Sequence, residues 1–293
     1  MILVTGASGF VGRHVVQALI ATGEDVRCLV RDPEKGASLG CELAQGDMTD
    51  AASLRRAVEG ADAVVHLVAV RQGKEEKFQR VMVQGGQDLL DAAAEAGVRR
   101  FLLMSALGTR EDTRDLVPYY RAKWEVEQLV QRSDIDSVIF QPSFIFGRDG
   151  GIIPTFRRLV KLAPVTPIIG SGERRIQPIW VDDMAAYFVK ALDFEAATNR
   201  TFEIGGPEQV TWNEFWARFR RALDVRRRPT IHVPVGLMRV NALLTERLPG
   251  DIPLTRDLLT MLEHEDNVVT NDEAVQTFQI PLVPLDEQLR RLA

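Results

Sequence analysis

Cysteine is nearly absent. Cys28 and Cys41 are the only two in 293 residues, which argues against a disulfide-stapled secreted scaffold. Cys28 sits in an apolar, strand-like run, where a reduced, buried thiol is expected. Long hydrophobic runs are missing too. None approaches the roughly 20 residues that a membrane span needs, so no integral membrane segment is expected. No signal peptide precedes the first apolar run, and the expected location is cytoplasmic, with room for a peripheral place at a membrane. An excess of positive charge is also lacking. The net charge is −5, whereas a nucleic-acid partner asks for a basic face. The runs Arg99-Arg100, Arg174-Arg175 and Arg226-Arg227-Arg228 are therefore expected to be solvated edges. There is no internal repeat or low-complexity tract, and no metal site is expected. A chain of this length can bury a large core, as one large domain or two coupled ones.

What is present is concentrated at the start. Ile2, Leu3 and Val4 form an apolar run that stops at Gly6. Gly9 and Gly12 follow, and Arg13 to Ile20 continues with helical spacing. Strand, glycine turn and helix start together form the geometry that holds a pyrophosphate. Gly6 permits the tight turn, Gly9 lets main-chain N–H groups approach phosphates, and Gly12 lets helix and strand pack closely. The spacing is G-x-x-G-x-x-G rather than G-x-G-x-x-G. A glycine pattern alone is weak, and its place between a strand and a helix carries the reading.

Strand-like and helical patterns alternate through the first half. Val26–Val30, Cys41–Gln45, Ala63–Ala69, Phe101–Met104 and Ser137–Phe140 read as strands, the last ended by Pro142. Helical spacing separates them at Leu54, Ala57 and Val58, at Leu89, Leu90, Ala93 and Ala94, and at Ala122, Val126, Leu129 and Val130. This order predicts an α/β fold, a doubly wound parallel sheet with helices on both faces and ligands at the carboxyl ends of the strands. Past Gly147 proline and loop character rise. Asp182 or Asp183 is expected to cap a helix, and Thr201–Ile204 reads as one more short strand. Thr211-Trp-Asn-Glu214 is a capping box. Trp212, Phe215, Trp216 and Phe219 share one helical face, read as packing rather than a cofactor box. From about Ile231 the chain is proline-punctuated and amphipathic. The expected division is a dinucleotide-binding domain over 1–147 and 176–205, with a smaller, partly interleaved C-terminal substrate lobe over 148–175 and 206–293.

Tyr119 and Lys123 lie one helical turn apart and leave the same face. A tyrosine at its ordinary pKa of about 10 is a poor base near neutrality, and lowering it by two to three units needs about 3–4 kcal/mol. One charge pair at 4 Å and an effective dielectric near 20 supplies about that much before desolvation. The pair is thus adequate as a general acid/base for a carbonyl or alcohol. Tyr120 points about 100° around the helix, which makes Tyr119 the better phenol.

Thr5-Gly-Ala-Ser-Gly-Phe-Val-Gly12, Gly46-Asp-Met48, His66-Leu-Val-Ala69, Tyr119-x-x-x-Lys123 and Gln141-Pro-Ser-Phe-Ile-Phe-Gly147 resemble the extended or atypical short-chain dehydrogenase/reductases, the epimerase/dehydratase-like proteins with an NAD(P)-binding Rossmann fold. Pro253–Leu259 and Glu265–Val269 resemble, more particularly, bacterial relatives of the nucleotide-binding accessory subunit of respiratory complex I. The resemblance implies that Gly6, Ser8, Gly9, Phe10, Val11 and Gly12 form the pyrophosphate turn. Asp47 would accept from the adenine amino group, with the Met48 backbone beside it. Leu67, Val68 and Ala69 would line the ribose and nicotinamide side. Lys123 would bond the nicotinamide ribose, and Pro142 and Ser143 would lie against the carboxamide. His66, alone in an apolar run, reads as a structural histidine.

Cofactor choice turns on the end of the second strand, where an NAD site usually places a carboxylate. Here Arg31 follows Val30, and a guanidinium suits a 2′-phosphate. Arg13 adds a second positive group. NADP(H) is favoured, with NAD(H) second if Asp32 is the selector. Two departures from the family pattern bear on turnover. Ser105, in Met104-Ser105-Ala106, is the only hydroxyl where a serine triplet is usual. Met82 stands where an active-site asparagine is usual. The first expectation is an oxidoreductase moving a hydride to or from a carbonyl or alcohol carbon, with Tyr119 as acid/base, Lys123 tuning it and Ser105 assisting. A small, hydrophobic substrate would lie under the second lobe near Phe144, Ile145 and Trp180. Epimerase or dehydratase chemistry is a variant. The alternative is a non-catalytic NADP(H)-binding protein that serves a respiratory complex as a structural, assembly or redox-sensing subunit, with a protein partner.

Overall fold

The computed structural model describes residues 1–225, 229–246 and 254–292. The chain forms two compact units. Met1–Pro142, Val181–Ile204 and Asn271–Ile280 make the first; Ser143–Trp180, Gly205–Thr270 and Pro281–Ala293 make the second. The Arg226-Arg227-Arg228 run and Pro253 lie outside the described residues.

The first unit is built on strands β1 (Ile2–Thr5), β2 (Val26–Val30), β3 (Glu42–Gln45), β4 (Ala63–His66), β5 (Arg100–Met104) and β6 (Asp136–Pro142), joined by a strand at Arg200–Ile204. The sheet runs Arg200–Ile204, β6, β5, β4, β1, β2, β3, and every neighbouring pair is parallel. The expected doubly wound α/β architecture is present, with the strand order reversing between β1 and β4. β1 and β4 are buried along their whole length, which explains why they read as unbroken apolar runs rather than alternating ones.

Successive residues point to opposite faces of the sheet. Leu3, Val64, Phe101 and Ile139 share one core with Leu54, Leu89, Leu90 and Val126, from the helices Ala51–Val58, Gly85–Glu95 and Pro118–Arg132. Phe140, one step from Ile139, turns the other way. There it meets Phe188 edge-on at 5.1 Å and Phe278 at 5.6 Å. Phe278 comes from the late return segment and also packs against Phe202 at 5.0 Å.

Three expectations need correction. β4 ends at His66, so Leu67, Val68 and Ala69 lie in the loop beyond it. Leu67 makes a last bond to the Thr5 carbonyl, and the loop then crosses over the glycine turn, which keeps it apolar without ladder pairing. The helix expected to be capped by Asp182 or Asp183 begins at Val181. Both carboxylates lie inside its first turn, where they complement the helix dipole. Arg100 is no solvated edge. It is buried, and its guanidinium donates to the carbonyls of Ala191 and Phe194 and to the Thr198 hydroxyl.

The second unit holds short strand pairs: Ile145–Phe146 with Ile179–Trp180, Arg175–Ile176 with Val210–Thr211, and Thr166–Ile169 with Thr230–Val233. The capping box at Thr211 and Glu214 opens the helix Trp212–Ala222. Its aromatic face is core: Phe215, Trp216 and Phe219 are buried, with Trp212 at the margin.

Two adjacent glycines test the packing of the Gly85–Glu95 helix. A Cβ on Gly85 would stand 2.4 Å from the Met48 carbonyl oxygen, whereas one on Gly86 would meet only the Val126 methyls, at 3.5 Å. Gly85→Ala should destabilise the fold by about 1–3 kcal/mol. Gly86→Ala should stabilise it by up to about 1 kcal/mol. Urea unfolding of the two variants checks both signs.

Candidate active site

At the end of β1 the backbone of Gly6 takes a φ of +76°, and Gly9 N–H donates to Gly6 O at 3.0 Å. A Cβ on Gly12 would lie 2.2 Å from that same oxygen, so the helix Phe10–Ala21 can pack this closely only with hydrogen at position 12. The helix begins with no side-chain cap and no acidic residue in its first turn. The amides of Phe10, Val11 and Gly12 have no acceptor within the helix, and the positive end of the helix dipole sits with them. Ser8 and Gly9 beside them are exposed. Donors, dipole and missing side chains fit a pyrophosphate. The Arg13 guanidinium reaches the Ser8 carbonyl at 3.3 Å, which holds it over the turn.

At the neighbouring end of β2, Arg31 is exposed. The Asp32 carboxylate accepts from Glu34 N–H at 3.1 Å and caps the short helix Pro33–Gly36. Past β3, Asp47 Oδ1 accepts from the Thr49 N–H at 2.8 Å and hydroxyl at 2.6 Å. Those bonds, with Arg31 and Arg80 nearby, hold the Asp47 carboxyl below the usual range. Met48 is buried beneath it.

The helix Pro118–Arg132 follows β5 and carries Tyr119 and Lys123. Tyr119 is half-buried on the core, while Tyr120 is buried and donates its hydroxyl to Leu107 O at 3.2 Å. Lys123 is almost wholly buried. Its ammonium donates to Met104 O, at the end of β5, at 2.6 Å, and lies 5.9 Å from the centre of the Tyr119 ring. Burial lowers Lys123 to about 8, against the opposing pull of Glu127. The expected depression of the Tyr119 phenol does not occur. Burial pushes it up to about 12, with Arg71 pulling weakly the other way. The ammonium is turned to the Met104 carbonyl, and removing the phenol from water disfavours its anion.

One further turn along the helix is Glu127, which the sequence reading missed. It is buried, and both its oxygens accept from Gln141 Nε2, at 2.9 and 3.0 Å. Burial raises it to about 7, while Ser105, Gln141 and Lys123 act to lower it. The signal was its spacing: 119, 123, 126, 127 and 130 form one stripe, so a carboxylate at 127 must face inward. In isolation Lys123 and Glu127 read as an ordinary surface ion pair.

Residues 2–205 match the model of the NAD dependent epimerase/dehydratase family. The chain belongs to that family. Among its relatives, ceramide reductase of Caulobacter vibrioides is 34% identical over 64% of this chain and 60% of that protein. The chain thus spans less than two thirds of that relative. NADH dehydrogenase (ubiquinone) 1 alpha subcomplex subunit 9 of Arabidopsis thaliana, a mitochondrial protein, is 26% identical over 89% of this chain and 74% of its own length. The NADPH-dependent quinone oxidoreductase of Escherichia coli, solved with NADPH, shares the fold: TM-score 0.79, 19% identity, 100% of this chain and 99% of that one. Family membership supports binding of a nicotinamide dinucleotide.

In this family member the loop after β4 places Leu67 buried, Val68 half-buried and Ala69 exposed. Val70 N–H donates to the buried Met82 sulfur at 3.3 Å, so Met82 has a structural partner in place of a proton-relaying one. Met82 lies in a π-helical stretch, Gln79–Gln84. Pro142 ends β6, and its carbonyl accepts from Leu107 N–H. Ser143 opens the second unit. Its hydroxyl lies 2.6 Å from Asn267 Oδ1 and 2.8 Å from Asn267 O. Asn267 also bonds Arg175 and Gln177 through its backbone, a role the sequence did not disclose. Phe144 stacks on Phe146 at 6.0 Å, and Trp180 is buried edge-on to Phe146 at 5.5 Å. Among the described residues no helix is long and apolar enough to cross a membrane, and no cluster of three or more His, Cys, Asp or Glu could hold a metal ion.

His66 is buried, with Nδ1 2.6 Å from the Thr5 hydroxyl. Burial first, and Lys123 second, lower its pKa to about 3. The folded state therefore keeps the ring neutral where the unfolded chain takes up a proton. Stability from this group is present above about pH 6.5 and is lost as pH falls toward 3. Glu127 acts in the opposite sense, since its raised carboxyl makes the fold bind protons more tightly. The difference between proteins isolates the histidine: the urea midpoint of His66→Asn should fall less than that of the wild type between pH 6.5 and 4.

Proposed function

We propose that this chain is an NADP(H)-dependent oxidoreductase that reduces a carbonyl group, with Tyr119 as the proton donor. The observation that carries this reading is the protonated phenol of Tyr119 one turn from a buried Lys123, on the helix that follows β5. A phenol pushed up to about 12 stays protonated at neutral pH, so it carries the proton that carbonyl reduction consumes and is a poor base for alcohol oxidation. The nicotinamide, when bound, supplies the hydride. Gly6, Ser8, Gly9, Phe10, Val11 and Gly12 would hold the pyrophosphate, and Asp47, Met48, Leu67, Val68 and Ala69 the adenosine and ribose side. Lys123 would turn from Met104 O to the nicotinamide ribose, with Pro142 and Ser143 at the carboxamide. Ser105, buried beside Glu127, would assist at the carbonyl oxygen. The reductase activity named for the Caulobacter relative supports this class of reaction and a hydrophobic, small-molecule substrate.

NADP(H) is preferred over NAD(H) in this reading. Asp32 is engaged as a helix cap, which leaves Arg31 as the exposed charge at the end of β2, with Arg13 over the glycine turn. A second reading, a dinucleotide-binding protein without turnover, rests on Met82, whose sulfur cannot relay a proton, and on the likeness to a complex I subunit. It would place the chain in or beside a membrane-associated redox assembly.

Two experiments test these assignments. With whichever aldehyde, ketone or quinone of a panel the wild type turns over fastest, Tyr119→Phe should lower kcat by at least about 100-fold while NADPH stays bound. Wild-type kcat/KM should fall as pH rises through about 8 and Lys123 loses its proton. Absence of turnover in both proteins would select the binding reading. Arg31→Ala should weaken NADPH binding by about tenfold, roughly 1.4 kcal/mol, and leave NADH binding unchanged by calorimetry. An equal loss for both coenzymes would reassign the selector.

A further inference from the structure

The only two cysteines of the chain are placed in contact. Cys28 Sγ, in the middle of β2, lies 2.9 Å from Cys41 Sγ, just before β3. Both are free thiols. Thirteen positions separate them, and the intervening segment is the crossover that carries Arg31, Asp32, the short helix Pro33–Gly36 and the turn Ala37–Leu39. Cys28 is buried, whereas Cys41 is half-buried. Cys41 opens into a shallow surface cavity of about 250 Å³ whose lining also includes Met1, Ile20, Glu24, Val26 and Glu42. A small oxidant therefore reaches one sulfur and not the other.

We propose that Cys28 and Cys41 form a peroxide-sensitive dithiol whose disulfide staples the β2–β3 crossover and thereby changes nucleotide affinity. The effect on affinity rests on the proposed coenzyme contact at Arg31, three residues past Cys28. In the first step the accessible Cys41 sulfur attacks the peroxide. The O–O bond breaks, Cys41 becomes the sulfenic acid, and one water leaves. The Cys28 sulfur then attacks the sulfenic sulfur, the S–O bond breaks, and a second water carries off the Cys28 proton. Two thiols and one hydrogen peroxide thus give one disulfide and two waters, and a small thiol reverses the change by exchange.

Burial and the neighbouring Cys41 push the Cys28 thiol up, so Cys28 is inert alone and serves to resolve the oxidised partner. Acidic Glu24, Asp25 and Glu42 line the cavity beside Cys41. Intrachain disulfides of this kind in reducing compartments are usually transient and regulatory.

The reduced full chain is treated with hydrogen peroxide, alkylated and digested with trypsin. The expected product joins the peptide Cys28–Arg31 to the peptide Gly36–Arg55, disappears with dithiothreitol, and is absent from Cys28→Ser and Cys41→Ser. The NADPH Kd of oxidised wild type should differ at least about 3-fold from that of the reduced protein, with no such change in Cys41→Ser. Separate oxidation of the two thiols to sulfinic or sulfonic acids, without a bridge, would overturn the proposal. So would a bridge that leaves Kd unaltered. If the reduced wild type fails to bind NADPH, the coenzyme assignment fails by itself. The staple is then read from the melting temperature, where a rise on oxidation supports it and no change refutes it.

Discussion

The first unit depends on one close approach of backbone to backbone. The end of β1 and the start of the first helix come together at Gly6 and Gly12, where even a methyl group would strike the Gly6 carbonyl at 2.2 Å. That contact aims the amides of residues 10 to 12 outward, and the same turn lies under the loop that follows β4, since a Cβ on Gly6 would stand 2.9 Å from the Leu67 carbonyl carbon. A glycine turn, a helix axis and the floor of a loop are thus fixed together by two absent side chains. The parallel sheet supplies the setting: β1 is central, buried on both faces, and ends where the strand order reverses.

The helix Pro118–Arg132 adds a second layer of constraint. Tyr119, Lys123 and Glu127 descend from the half-buried rim into the core, one turn at a time. Lys123 and Glu127 are both removed from water, and each of the three groups shifts toward its neutral form: the phenol and the carboxyl up, the ammonium down. Three titratable groups in a low-dielectric setting would be costly if any were left without a partner. Gln141 from β6 serves Glu127, and the Met104 carbonyl from β5 serves Lys123. The helix Pro118–Arg132 is thereby tied to the two strands whose ends border it.

Much of this was legible in the sequence, for identifiable reasons. Fully buried parallel strands leave continuous apolar runs, which exposed β1, β4 and most of β5. Glycines at a strand-to-helix junction have one dominant use. The capping box at Thr211 and the aromatic face that follows it are local, periodic signals, and the fold kept both. Long-range partners were hidden. The burial of Arg100 depends on carbonyls near residues 191–194, and the inward face of Glu127 on a glutamine in another strand. Asn267 holds Ser143 from 124 positions away. The end of β4 was misplaced because an apolar loop beneath a glycine turn looks like a strand. The Tyr119–Lys123 spacing was read correctly as a pair on one face. The electrostatics were not, because a Coulomb attraction can be written from spacing alone while desolvation requires knowledge of the surroundings.

The late return segment bears on how the chain comes to be folded. Asn271–Ile280 belongs to the first unit, and its Phe278 fills the aromatic cluster against Phe140, Tyr187 and Phe202. The last strand of the sheet ends at Ile204, yet the plug for that face is translated more than 70 residues later. During synthesis the Phe140 side of the sheet, already covered in part by Tyr187 and Phe188, lacks its last aromatic partner until the middle of the second unit has left the ribosome.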